Sequence, residues 1–234
     1  MSTSGTYSFL MSRDDLIKAS LRCTTRFGAS DTVPTEDITY CAQALNILCK
    51  ALAVDGMPLW CVQELVVPFV AGQAQYNLST ASGNTLPLRV IDCFWRSSTG
   101  NDVMLTAIGR SDYEALGQKA SPGAPNSYWY DPQLTGGLLT VYNVPQDASA
   151  SLHVIIQRQI QDVNLATDNV DFPQEAYQML KWILAEEIML EYSTPKDVRA
   201  EIRLQAARVK ETFMGSSFMQ EQSSVFFTPA FRGN

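Results

Sequence analysis

One histidine, His153, occurs in 234 residues, so a His-based catalytic triad or a zinc site would have to be built around a single imidazole. Leu152 and Val154 on either side place it in a strand, and with no G-x-S-x-G elbow in the chain an ordinary strand side chain accounts for it. H-E-x-x-H, Walker A, G-x-G-x-x-G and calcium-loop patterns are also missing, which removes the common metal, nucleotide and dinucleotide readings as far as local motifs reach and implies no cofactor. The five cysteines, Cys23, Cys41, Cys49, Cys61 and Cys93, form no C-x-x-C pair, and their odd number points to buried thiols in a reducing compartment rather than a disulfide framework. No apolar run reaches the length of a membrane span, and Met1 to Leu10 lack the basic start and apolar stretch of a signal peptide. The expectation is a soluble protein with no membrane partner, in which the sequon Asn77-Leu78-Ser79 is a coincidence.

Basic excess is lacking too. Lys and Arg number 17 against 24 acids, a net charge of −7, which argues against general duplex binding because phosphate contacts need clustered cations. The imbalance is concentrated: residues 62–171 hold ten acids against five bases, whereas the segments on either side are nearly neutral.

What is present is a hydrophobic content of 46%, that of a folded globule, at a length suited to one large domain or two small ones. Ser12 followed by Asp15 is a capping-box pattern, and Leu16, Ile17, Ser20, Leu21, Thr24 and Phe27 recur at helical spacing up to Gly28. Thr35, with Glu36 and Asp37 in the first turn, opens a second helix carrying Ile38, Cys41, Leu45, Leu48, Cys49 and Leu52, which Gly56 and Pro58 stop. From Cys61 to about Ile160 the texture is strand-like. Strands are predicted near 62–69, 74–78, 87–97, 102–106, 126–130, 138–142 and 151–160, with one short helix opened by a capping box at Ser111-Asp112-Tyr113-Glu114.

Asp171 as N-cap with Phe172-Pro173 predicts a third long helix running through Tyr192, apolar on nearly every side and so buried on several faces. Thr194-Pro195-Lys196-Asp197 starts the last, with Val198, Ile202, Ala206, Val209 and Phe213 as its buried stripe. This order predicts an α+β protein. Residues 1–61 and 172–214 form a discontinuous helical bundle core of two N-terminal and two C-terminal helices, residues 62–171 an inserted antiparallel β-sandwich-like module, and residues 215–234 an extended C-terminal tail.

Three groups of residues are candidates for function. Lys18, Arg22 and Arg26 line one face of the first helix, and Lys196, Arg199, Arg203 and Lys210 do the same on the last. Each stripe is either a solvated face or an inter-subunit surface that meets acids such as Glu186, Glu187 and Glu191 on a neighbouring copy. Glu187 and Glu191 also have the spacing for a metal site or an acid and base pair, but carboxylates so placed on a helix are far more often surface charge, and the chain is expected not to be an enzyme. In the insert, Phe94, Trp95, Tyr128, Trp129 and Tyr130 offer either a glycan-binding platform or ordinary cross-strand packing. After Gly215, Phe218, Phe226, Phe227 and Phe231 make a tail richer in aromatics than solvated tails are, which suits a docking partner.

Several stretches in order resemble the podovirus-type head-to-tail adaptor family, the tail accessory or head-completion proteins that stabilise packaged DNA. They are Leu21-Arg22 and Ala44-Leu45-Asn46-Ile47-Leu48, Gly56-Met57-Pro58-Leu59-Trp60, and Gly72-Gln73-Ala74-Gln75-Tyr76. Gly123-Ala124-Pro125-Asn126-Ser127-Tyr128-Trp129-Tyr130, Leu139-Thr140-Val141-Tyr142-Asn143-Val144-Pro145 and Asp171-Phe172-Pro173-Gln174-Glu175-Ala176-Tyr177 follow, the last leading into Ala185-Glu186-Glu187-Ile188-Met189-Leu190-Glu191-Tyr192. Asn143 stands where related sequences often have proline in a Tyr-Pro-x-Pro run, a departure confined to a turn.

The resemblance spans about residues 10–214 and implies a homo-oligomeric ring of about twelve copies docked beneath the portal protein of a short-tailed phage. It implies assembly in the host cytoplasm and residence in the virion at the head-to-tail junction. A distal tail or nozzle protein would extend the ring, DNA would pass through without sequence-specific binding, and the tail would dock on the portal.

Overall fold

The computed structural model describes residues 5–55, 59–81, 87–134, 136–146 and 148–215. The chain divides into two compact units, a helical one from Met1–Leu59 and Asp162–Asn234 and a β-rich one from Trp60–Gln161.

In the helical unit, α1 (Arg13–Cys23) begins where Ser12 accepts a hydrogen bond from the Asp15 amide at 3.2 Å. It ends five residues before Gly28 because the Thr24 hydroxyl turns back to donate to the Leu21 carbonyl at 2.7 Å and Thr25 takes a φ of +61°. Arg26 is therefore off the helix, and the predicted three-residue basic stripe of α1 is reduced to Lys18 and Arg22. The second helix, α2 (Thr35–Asp55), starts at the expected threonine with Glu36 and Asp37 in its positive first turn.

A 3₁₀ turn at Gln174–Ala176 leads into α5 (Tyr177–Ile188), and α6 (Lys196–Met214) follows Pro195. The regular helix of α5 stops at Ile188 rather than Tyr192, since the Glu191 and Tyr192 amides both turn back to the Ile188 carbonyl. α5 packs against α1, α2 and α6. It buries Leu180, Leu184 and Ile188, while α1 contributes Leu16, Ile17 and Leu21 and α2 contributes Cys41, Leu45 and Cys49. Each such aliphatic side chain stabilises the fold by about 1.5–3 kcal/mol, and truncating Leu184 to alanine costs about 2–5 kcal/mol.

Residues 162–171, assigned by sequence to the insert, belong to the helical unit. The Asn46 side chain on α2 brackets Val163, donating to its carbonyl at 3.2 Å and accepting from its amide at 2.9 Å. Arg13 donates its amide to the Asp168 carbonyl at 2.7 Å and its guanidinium to the Asn164 carbonyl at 2.6 Å.

The β-rich unit has two four-stranded sheets. One runs in the order β1 (Val62–Pro68), β8 (Ser151–Arg158), β3 (Pro87–Arg96), β4 (Asp102–Met104) and is antiparallel throughout. The other runs β2 (Gln75–Asn77), β7 (Gly136–Tyr142), β6 (Ser127–Gln133), β5 (Thr106–Ala107), and its two-residue β5 pairs parallel with β6, where antiparallel strands are predicted throughout. Short helices α3 (Leu78–Ala81) and α4 (Arg110–Ala115) sit in the connections. The cap of α4 falls at Gly109, whose amide donates to Asp112, and not at Ser111.

Period-two alternation sends Leu65 and Val67, Cys93, and Leu152, Val154 and Ile156 from the first sheet into one core with Tyr76, Tyr128, Leu139 and Val141 from the second. Gly137 serves that packing. A Cβ there would lie 2.6 Å from the Tyr130 ring, which covers it and donates its hydroxyl to the Pro87 carbonyl at 3.1 Å.

Candidate functional site

The charged residues singled out by sequence are not equally available. On α6, Lys196 and Arg203 are exposed, whereas Arg199 is half-buried and donates Nε to the Thr194 carbonyl at 2.5 Å, stapling the helix start. On α5, Glu187 is exposed and Glu186 half-buried; Glu191 lies beyond the helix and accepts from the Tyr40 phenol of α2. Beside it the Tyr192 hydroxyl donates to Asp37 at 3.0 Å and lies 3.6 Å from the Cys41 thiol. The hydrogen bond to Glu191 is the main cause that pushes the Tyr40 phenol up to about 12, and burial first and its hydrogen-bond partners second raise that of Tyr192. Glu191 is thus engaged within its own chain, and the first turn of α2 forms an acidic end with Glu36, Asp37, Glu187 and Glu191 close by.

Both α2 and α6 turn apolar side chains outward, which the sequence reading did not single out. Ile47 and Val54, seven residues apart on α2, are 69% and 74% exposed, with Ala51 exposed between them. On α6, Leu204 is 63% exposed and flanked by exposed Ala200 and Ala207. Only Ile202, Ala206 and Phe213 of the 19 residues of α6 are buried, so this helix packs by one narrow stripe. An open groove of about 470 Å³ runs between the 3₁₀ turn with α5 and the second half of α6, floored by Met179, Val209 and Phe213 and rimmed by Glu175, Gln178 and Arg208. Near the other end of the chain, Tyr7, Phe9 and Leu10 are exposed, and Phe9 donates its amide to Gln174 at 3.2 Å with its ring edge-on to Tyr177.

In the β-rich unit, His153 is buried between Glu64, which bonds Nδ1, and Ser151, whose hydroxyl lies 2.9 Å from Nε2. Phe94 stacks on the imidazole at 4.8 Å between centroids, and Arg96 reaches over Phe94 while holding Asp102 through two bonds of 2.6 and 2.7 Å. That pairing holds the Asp102 carboxyl below the usual range. The connectivity acid–imidazole–hydroxyl is that of a hydrolase triad, yet all three side chains project from one face of adjacent strands, where cross-strand polar pairs are the ordinary packing device. Sequence reading missed it because Glu64 is 89 residues from His153 and only the strand register brings the two together.

The five aromatics offered as a glycan platform do not share a face. Tyr128 lies in the core with Trp95 and Tyr130 packed against it, Phe94 covers His153, and Trp129 stacks on Tyr113 at 5.5 Å beneath Arg110. Trp95 also donates its indole to the Pro125 carbonyl at 3.1 Å. The tail candidates Phe218, Phe226, Phe227 and Phe231 lie outside the described residues. Among the described residues, no three His, Cys, Asp or Glu side chains are grouped to hold a metal ion, and no helix is long and apolar enough to cross a membrane.

No protein-family profile and no curated protein matches this chain. Among solved structures, it is similar to a chain from the neck of an empty GTA particle computed with C6 symmetry, with 10% sequence identity, a TM-score of 0.29 and coverage of 85% of this chain and 92% of that one. A likeness at that level carries no function across.

Proposed function

We propose that this chain is a structural head-to-tail adaptor of a short-tailed phage, a ring-forming virion protein and not an enzyme. The observation that carries the reading is the helical unit. It is closed by both ends of the chain, yet α2 and α6 present apolar and charged faces outward in a pattern suited to packing between copies. The ordered motifs of residues 10–214, which resemble that family, support the same assignment.

In this reading about twelve copies form a ring under the portal protein, with a distal tail or nozzle protein below. Some of the acids of the β-rich segment face the channel, so that DNA slides through a field that repels phosphate instead of binding it. Residues 216–234 dock on the portal through Phe218, Phe226, Phe227 and Phe231, whose burial there supplies the affinity.

The test is electron microscopy of the purified chain mixed with the portal protein from the same genome. A closed ring of this chain on one end of the portal is the expected result, and its end-on views give the copy number. Free portals beside unassembled chains at micromolar concentrations overturn the reading. Deleting residues 216–234 is expected to abolish portal binding, and unchanged affinity after deletion removes the role of the tail.

A further inference from the structure

We infer that the groove between α5 and the second half of α6 is the seat of the chain's own C-terminal segment, with Phe218 and Met219 lying on Met179, Val209 and Phe213. The groove is open and has a volume of about 470 Å³. Its α6 wall consists of Gln205, Arg208, Val209, Thr212 and Phe213, spaced so that they share one face of the helix. Gly215 caps α6 with right-handed backbone, and the next position in that series is 216. The chain therefore leaves the helix at the end of the groove and on the groove's side.

Reach selects the residue. Val209 lies six residues before Gly215, about 9 Å back along the helix. Phe218 lies three residues after it, and three extended residues span about 10 Å. A chain that reverses at Gly215-Ser216-Ser217, residues suited to a turn, lays Phe218 over Val209 in the middle of the groove. Phe226, Phe227 and Phe231 are on longer tethers, which lower their effective concentration at the same place.

The chemistry of the segment agrees. Ser216 to Gln220 carry no charge, so they enter between Glu175 and Arg208 without burying an unpaired ion. Met219 is unbranched and fills irregular apolar gaps. Phe9, from the other end of the chain, is edge-on to Tyr177 and does not line the groove.

The seat is a property of the free chain and stands or falls without the ring. If the adaptor reading also holds, the portal competes with the groove for Phe218, and Phe226, Phe227 and Phe231 make the first contact. Loss of portal binding with Phe218 still seated would overturn that reading and leave the seat.

The first experiment is limited chymotrypsin digestion of the full chain, followed by mass spectrometry and calibrated on a synthetic peptide of residues 214–234. Relative to the peptide, cleavage after Phe218 is expected to be about tenfold slower than cleavage after Phe226 or Phe227. Equal protection of all three, or none, overturns the inference, and so does protection of Phe218 that vanishes on dilution, because a second copy then supplies the segment. The second experiment is disulfide trapping with the half-buried Cys23 changed to serine. Val209→Cys with Phe218→Cys is expected to close within the monomer faster than Glu211→Cys with Phe218→Cys, although Glu211 is exposed and nearer in sequence. Equal rates, or covalent dimers from the first pair, overturn the seat.

Discussion

Tyr40 on α2 donates its phenol to the carboxylate of Glu191, 151 residues further along, and this bond ties the first half of the helical unit to the second. It is charge-assisted but exposed to solvent, so replacing Tyr40 with phenylalanine is expected to lower stability by about 1 kcal/mol in urea denaturation. The bond also sets a pH dependence. The folded state holds the phenol at about 12, against an ordinary value of 10.0, so its contribution is present below the ordinary value and lost as pH rises through about 12. The Tyr40→Phe variant should lack that alkaline step, seen by ultraviolet titration alongside the unfolding curves.

Arg199 and Arg203 look equivalent in the sequence, but only Arg199 holds a backbone carbonyl, that of Thr194. Arg199→Glu is therefore expected to lower the melting temperature of the monomer, and Arg203→Glu to leave it unchanged while weakening association. Equal effects of both on melting would assign Arg203 a fold role and remove it from the interface.

Cys49 and Cys93 are buried, and desolvation pushes both thiols up to about 12, so they hold their protons at neutral pH. Cys41 and Cys61 are also buried, which leaves half-buried Cys23. A colorimetric thiol reagent should titrate one cysteine rapidly in the native protein and all five in guanidinium. A second fast thiol in the native state would show that one of the buried sites opens.

Gly137 lies under the Tyr130 ring. Gly137→Ala forces that ring and its bond to Pro87 aside and is expected to cost about 1–3 kcal/mol. The double variant Gly137→Ala with Tyr130→Leu should lose less than the two single costs together.

Ser151 and His153 have the contact of a nucleophile with its base. In the proposed structural role a fluorophosphonate probe leaves Ser151 unlabelled, and His153→Ala lowers stability by about 1–3 kcal/mol by removing a buried imidazole that stacks on Phe94 and bonds Ser151 and Glu64. Covalent labelling of Ser151 that His153→Ala abolishes would falsify the structural role.

Local sequence carried the elements well and the long-range pairings poorly. Thr35 with its two acids marked the start of α2, and alternation marked the strands that Leu152, Val154 and Ile156 anchor. Position in sequence could not place residues 162–171, because what attaches them is the Asn46 amide reaching Val163 across 117 residues. α1 was read too long for a local reason, the backbone turn at Thr25 that follows the Thr24 cap. The outward stripe of α2 was present in the spacing of Ile47 and Val54, but periodicity alone does not say which of two apolar faces the bundle covers.

The division of the helical unit between the two ends of the chain also sets an order of events in time. α2 ends at Asp55 and α5 begins at Tyr177, with the whole β-rich unit between them. At roughly 5–20 residues per second, α1 and α2 leave the ribosome on the order of ten seconds before the helix that buries them. The β-rich unit, contiguous in the chain, can be complete by then, so during synthesis the last part to close is the pair of helices made first.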